Sequence, residues 1–166
     1  MVHRWLERFG PGTLDDLVWW TGGTKTLVRR ALAEITPDEV RLDDGATGFV
    51  LPGDHGDTEP VDPWVALLPG LDPTPMGWKR RDWYLPPDVA ERVTDRNGNI
   101  GPTVWADGRI VGGWAQRRDG SIADDADLTA SQRALYDIEV ARLRELIGDT
   151  RFSPRFPAPD HKGLLS

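Results

Sequence analysis

Apolar residues recur at helical spacing twice in the first part of the chain. Leu14, Leu17, Val18 and Trp20 follow Thr13, whose hydroxyl is suited to cap a helix, and Asp15 and Asp16 place acids in the first turn. Gly22-Gly23 breaks that helix and Thr24 is a second cap candidate. From Lys25 to Ile35, the residues Leu27, Val28, Ala31, Leu32 and Ile35 form one stripe. At about 100° per residue, Thr26, Arg29, Arg30 and Ala33 fall on the opposite side. Two short helices joined by a tight glycine turn make a helix-turn-helix pattern. Val40-Arg41-Leu42 then reads as a strand, Asp43 to Gly48 as a turn, and Phe49-Val50-Leu51 as the returning strand. Helix, turn, helix and hairpin is the order of a winged helix. Upstream, Trp5 to Phe9 reads as the last turns of a helix stopped by Gly10, as expected if the chain begins inside an element of a longer protein.

The pattern changes after Gly53. Gly53 to Pro60 is polar and acidic, a loop or linker. Trp64-Val65-Ala66-Leu67-Leu68 is a continuous apolar run of strand length between Pro63 and Pro69. Thr103 to Ala106 and Arg109 to Gln116 flank Asp107-Gly108, a strong hairpin signal, with further turns at Asn97-Gly98 and Asp119-Gly120. Short strands in this number predict a small antiparallel sheet or partly closed β-barrel, and Gly112-Gly113 suits a bulge or sharp bend. Pro86-Pro87-Asp88 opens a short helix through Val93. The last helix runs from Ala130 to Ile147, with Leu135, Ile138, Ala141, Leu143, Leu146 and Ile147 apolar, and is expected to pack on the barrel. The tail from Arg151 is expected to be extended or mobile. The fold class is therefore α+β: a winged helix-turn-helix with an acidic linker over 1–62, a small antiparallel β-barrel or sheet over 63–128, and a C-terminal helix with an extended tail over 129–166.

Composition narrows the function. A chain of 166 residues makes one domain or two small ones, and 39% apolar with 28% charged residues describes an ordinary soluble globular protein. No apolar run approaches the ~20 residues of a membrane span, and the first residues lack the apolar stretch of a signal peptide, so a cytoplasmic place without membrane contact is expected. With no cysteine there is no disulfide, thiolate zinc site or cysteine nucleophile. Only three of the 20 basic residues are lysines, a bias resembling coding from a GC-rich bacterial genome. The formal charge of -7 argues at first against nucleic acid as a partner. Its distribution weakens that objection. Residues 37–72 carry one basic against nine acidic side chains, whereas 1–36 carry five against four and 73–118 carry eight against five.

Two stretches carry candidate chemistry. Lys25, Thr26, Arg29 and Arg30 share the outer face of the second helix, where a recognition helix would meet the major groove; the alternative is a solvated helix face. Lys79-Arg80-Arg81 lies among Trp78, Trp83 and Tyr84, so cations would meet phosphates while aromatics stack or wedge beside bases. The alternative is that these aromatics are core. Eight tryptophans against four phenylalanines make packing the ordinary reading. Asp43 and Asp44 make the wing acidic, which counts against its touching phosphate. Asp54-His55-Gly56-Asp57 has metal-ligand residue types, but nothing completes a site, and neither metal nor cofactor is expected.

An ordered set of short motifs adds a resemblance. Arg8 to Pro11, Thr13 to Gly22, Leu68 to Pro73, Met76-Gly77-Trp78, Arg96 to Asn99 and Asp107 to Trp114 resemble the winged-helix DNA-binding proteins of the YcaQ/AlkZ-like group. That group includes bacterial DNA glycosylases acting on alkylated bases and interstrand crosslinks. The resemblance implies tandem winged helices followed by a β-barrel, with this chain as the C-terminal half. It implies double-stranded DNA and the N-terminal winged-helix region of the same protein as partners. The group's catalytic signature is a Gln-aliphatic-Gln or related triplet. The only glutamines here are Gln116 and Gln132, so no catalytic residue is carried over. The expectation is a noncatalytic DNA-binding portion of a repair glycosylase; the rivals are a winged-helix regulator and a noncatalytic interaction module. The expected DNA-binding residues are Lys25, Thr26, Arg29, Arg30, Lys79, Arg80, Arg81 and Trp83.

Overall fold

The computed structural model describes residues 1–55, 59–153 and 157–165. It divides into two compact units: Met1–Pro60 with Gly77–Arg80, and Val61–Met76 with the chain from Arg81 onward.

The first unit is built from α1 (Val2–Phe9), α2 (Leu14–Thr21) and α3 (Lys25–Ile35), followed by β1 (Asp38–Arg41) and β2 (Thr47–Val50). Local chemistry sets the helix ends. Thr13 and Asp16 form a reciprocal capping box at the start of α2, and Gly22 ends it at φ +64°. The Thr24 hydroxyl accepts from the Leu27 N–H at 3.2 Å to start α3. β1 and β2 pair antiparallel from Asp38↔Val50 to Arg41↔Thr47. The core contains Val2, Trp5, Leu6, Leu17, Val28 and Leu32. Leu27 departs from the expected stripe: it is 61% exposed, because the helix buries the faces of Val28 and Leu32 and leaves its first turn outside.

The second unit contains β3 (Val65–Leu68), α4 (Pro87–Val93), β4 (Thr103–Ala106), β5 (Arg109–Gln116), β6 (Ile122–Asp124), α5 (Ala130–Ile147) and α6 (His161–Leu165). Its strands form one antiparallel sheet in the order β3-β4-β5-β6. The anticipated barrel does not close. Among the described residues β3 and β6 remain unpaired edges, and four strands of three to eight residues are too few and too short to curl round onto one another. A helix buries the sheet face instead: α5 lies against β3, with Tyr136 in the core beside Val65, Val104 and Trp114. Asp107 and Gly108 both have positive φ, +48° and +84°, as a two-residue type I′ hairpin turn requires. The register of β4 on β5 passes from Val104↔Gly112 to Trp105↔Ile110, so the bulge falls on Val111. Gly112 is needed for a separate reason, since a Cβ there would lie 2.6 Å from the Ala126 Cα.

Two further differences concern the C-terminal residues. Leu146 on α5 is 81% exposed and Ile138 is exposed too, so the apolar face of α5 is broader than the surface it covers. The tail is not simply extended, because residues 161–165 form α6, which packs on β5. Among the described residues no helix is long and apolar enough to cross a membrane.

Candidate nucleic-acid interface

The first unit gathers six of the eight expected contact residues. Lys25, Thr26, Arg29 and Arg30 are all exposed on α3, as the helical period requires once Val28 and Leu32 face inward. Lys79 and Arg80 join them through a short strap, Gly77–Arg80, that belongs to this unit although it lies far along the chain.

Three contacts hold the strap. The indole Nε1 of Trp5 donates to the Gly77 carbonyl at 3.2 Å, and that of Trp78 to the Pro11 carbonyl at 3.4 Å. Trp78 also meets Phe9 and Trp5 edge-on, with centroids at 5.4 and 6.1 Å. The third contact is Asp16, whose carboxylate is 4% exposed. One oxygen accepts from the Thr13 N–H and hydroxyl at 2.9 and 2.6 Å. The other accepts from the Lys79 N–H at 2.9 Å and, more weakly, from the Arg80 N–H at 3.5 Å. A residue legible as a first-turn helix acid is therefore also the anchor of the basic strap. Nothing local in the sequence signals that second duty, because its partner is 63 positions away.

The anchoring directs Lys79 and Arg80 outward. They line a groove of about 340 Å³ together with Thr13, Leu14, Asp15, Asp16, Ala46 and Thr47. Lys25 Nζ lies 2.9 Å from one oxygen of Asp15 and Lys79 Nζ 3.9 Å from the other. The Lys25 ammonium, by hydrogen bond and charge, holds the Asp15 carboxyl below its ordinary value, with Lys79 and Arg80 adding to the effect. Arg80 pairs with Asp44 in the β1–β2 turn, and Arg30 with Glu34 one helical turn on, at 3.4 Å. Among the described residues no carboxylate lies within ion-pair distance of Arg29. The acidic partners Asp15, Asp44 and Glu34 were not among the expected site residues.

Arg81 and Trp83 belong to the second unit. Arg81 is half-buried, donating to the Gly98 carbonyl at 3.1 Å and contacting Met76 Sδ at 3.4 Å. Gly98 sits in a turn held by Asp95, which accepts from the Asn97 and Asn99 N–H groups and the Asn99 amide. The guanidinium thus braces a loop. Trp83 is 55% exposed and stands edge-on to Tyr84, centroids 4.6 Å apart, while Tyr84 itself is wholly buried. Of the three aromatics in the stretch, Tyr84 is core and Trp83 is more than half exposed.

The remaining candidates have other occupations. His55 Nε2 lies 2.7 Å from Asp38, and Gly56 and Asp57 of the acidic loop lie outside the described residues. No group of three or more metal-binding side chains occurs among the described residues. Gln116 is buried, donating to the Thr150 carbonyl and accepting from the Phe152 N–H, and Gln132 caps α5 and donates to Asp107.

The family model for DNA glycosylase AlkZ-like proteins matches residues 1–146. The chain belongs to this AlkZ-like family. Its fold is also similar to that of a solved structure, the DNA glycosylase AlkZ of Streptomyces sahachiroi. The TM-score is 0.74 and the identity 24%, over 93% of this chain and 44% of that one. The chain therefore spans less than half the length of that AlkZ. No curated protein matches it.

Proposed function

We propose that this AlkZ-like chain is the DNA-gripping portion of a repair glycosylase that acts on alkylated bases or crosslinks. Residues 1–62 serve as a winged helix with acidic linker, α3 enters the major groove, and Lys79 and Arg80 take adjacent phosphates. The sheet region 63–128 presents Trp83 to bases, Arg81 braces the loop at Gly98, and 129–166 closes the region. An N-terminal winged-helix region of the same protein supplies base excision, because this chain has no Gln-aliphatic-Gln triplet and its two glutamines are spent on loop and cap bonds. Glycosylases need such a grip, since a base is reached only in a deformed duplex with the base turned out of the stack. A bacterial protein acting on chromosomal DNA works in the cytoplasm.

The observation that carries this reading is the row of Lys25, Thr26, Arg29 and Arg30 on the open face of an N-capped helix, beside a basic strap fixed by a buried carboxylate. Duplex binding followed by fluorescence anisotropy tests it. Arg29→Ala/Arg30→Ala and Lys79→Ala/Arg80→Ala weaken binding across sequences, each lost phosphate contact lowering the salt slope by about one. Unchanged affinity in both double variants refutes the surface. Excision of an alkylated base by this chain alone refutes the noncatalytic role. One observation favours an interaction module instead: most cations of this face already have carboxylate partners. Salt-independent association would support that reading.

A further inference from the structure

The proposed DNA face carries its own anions. Asp15, in the first turn of α2, is shared by Lys25 from α3 and Lys79 from the strap. Asp44, in the turn between β1 and β2, takes Arg80. Three cations from two separate places are thus engaged by carboxylates from two others, all within one unit. We propose that Asp15 and Asp44 are built-in competitors for DNA phosphates, so that duplex engages this surface by salt-bridge exchange. The proposal rests on the DNA-binding reading and goes beyond it by assigning these carboxylates a regulatory role.

The chemistry supports exchange rather than permanent locking. A phosphodiester offers an arginine or lysine the same single negative charge as a carboxylate, likewise spread over two acceptor oxygens. All five side chains are about half exposed, between 46% and 66%, and ion pairs at that exposure are weak. Asp15 has a second reason to sit where it does, at the positive end of a helix, so it does not leave when its lysines do. Its charge then faces the arriving phosphate. A lone anion gains little by displacing it, whereas a duplex brings closely spaced phosphates that can take Lys25, Lys79 and Arg80 together. The acidic wing, which counted against phosphate contact, becomes the element that sets the threshold for it.

Asp15→Asn and Asp44→Asn, singly and together, test this against Glu145→Gln. Glu145 is an exposed carboxylate of α5 with no ion pair among the described residues. Asparagine at position 44 keeps the acceptor for the Ala46 N–H, now 2.9 Å from the carboxylate, so the turn survives. Each variant is checked by circular dichroism and titrated with a short duplex at several salt concentrations. Each substitution tightens binding about two- to fivefold, the range set by the strength of an exposed pair. The double variant gains about tenfold and steepens the salt slope by roughly one per freed contact. If the parent binds duplex and both variants gain no more than Glu145→Gln, the competitor role is refuted while the DNA-binding reading stands. If neither parent nor variants bind duplex, the DNA-binding reading itself fails and takes the inference with it.

Discussion

Asp16→Ala is the substitution most exposed to the reasoning about the first unit, because one side chain there both caps a helix and fixes the basic strap. Its loss removes one half of the capping box, the acceptor of the Thr13 N–H and hydroxyl, worth about 1 kcal/mol, while the Thr13 hydroxyl still accepts from the backbone N–H of residue 16. It also strips the Lys79 N–H of a 2.9 Å acceptor in a partly buried place, worth about 1.5–3 kcal/mol for a hydrogen bond to a charged group. The 3.5 Å contact from the Arg80 N–H adds little. Relief of the desolvated carboxylate offsets part of the loss, leaving a net cost of about 3 kcal/mol. For a unit of this size that is a fall in Tm of roughly 12–24 °C. Tryptophan fluorescence reports the change, since Trp5, Trp20 and Trp78 lie in the aromatic cluster the strap completes. Asp16→Asn keeps one acceptor oxygen and falls in between. A melting point for Asp16→Ala within about 2 °C of the parent would refute the anchoring argument.

Gly112→Ala in β5 places a methyl 2.6 Å from the Ala126 Cα and 2.8 Å from its nitrogen, both backbone atoms that cannot rotate away. It destabilises the second unit by about 2–3 kcal/mol in urea unfolding, whereas Gly108→Ala, in open space but at φ +84°, costs about 1 kcal/mol. His161, 8% exposed with Nδ1 unpartnered among the described residues, has its pKa lowered by burial. Because the folded value lies below 6.5, the proton binds the unfolded state better. The stability α6 contributes is therefore complete above pH 6.5 and is lost as pH falls through the folded value. The protection factors of α6 amides, corrected for the slower intrinsic exchange at lower pH, fall on acidification from about pH 7 to 5 in the parent and not in His161→Phe. Asp95 and Asp107 have carboxyl values held below 3.8, by the Asn99 amide and by the Gln132 amide respectively. They run in the same direction at lower pH: their turns keep their bonds above about 3.8 and lose them as pH falls further, visible in carboxyl NMR titrations.

What could be read from the chain and what could not follows the range of the interactions involved. The starts of α2 and α3, their break at Gly22, the Asp107-Gly108 hairpin and the extent of α5 depend on caps, turns and periodicity within a few residues. Those were legible. The strap was not, because a run of three cations among aromatics says nothing of which neighbour its backbone will bond; Asp16 and Trp5 decide that from the other end of the chain. The same limit divides the stretch itself, with Arg81 drawn inward to the Gly98 carbonyl and Arg80 outward to Asp44. Sheet closure is likewise a matter of which edges meet, and a few short strand patterns fit an open sheet as well as a barrel. Of the expected contact residues, the exposed α3 face was visible from periodicity alone. Its acidic partners were hidden, since a carboxylate's target is a matter of tertiary placement.

The salt dependence of duplex binding by the unaltered chain tests the central claim most directly. If Lys25, Arg29, Arg30, Lys79 and Arg80 grip phosphates, log affinity falls linearly with log salt concentration, near -0.9 per phosphate neutralised and so about -4.5 for five contacts, less what the carboxylate partners Asp15 and Asp44 withhold. An affinity for duplex that stays flat across the same salt range, or no binding at low salt, would contradict the account.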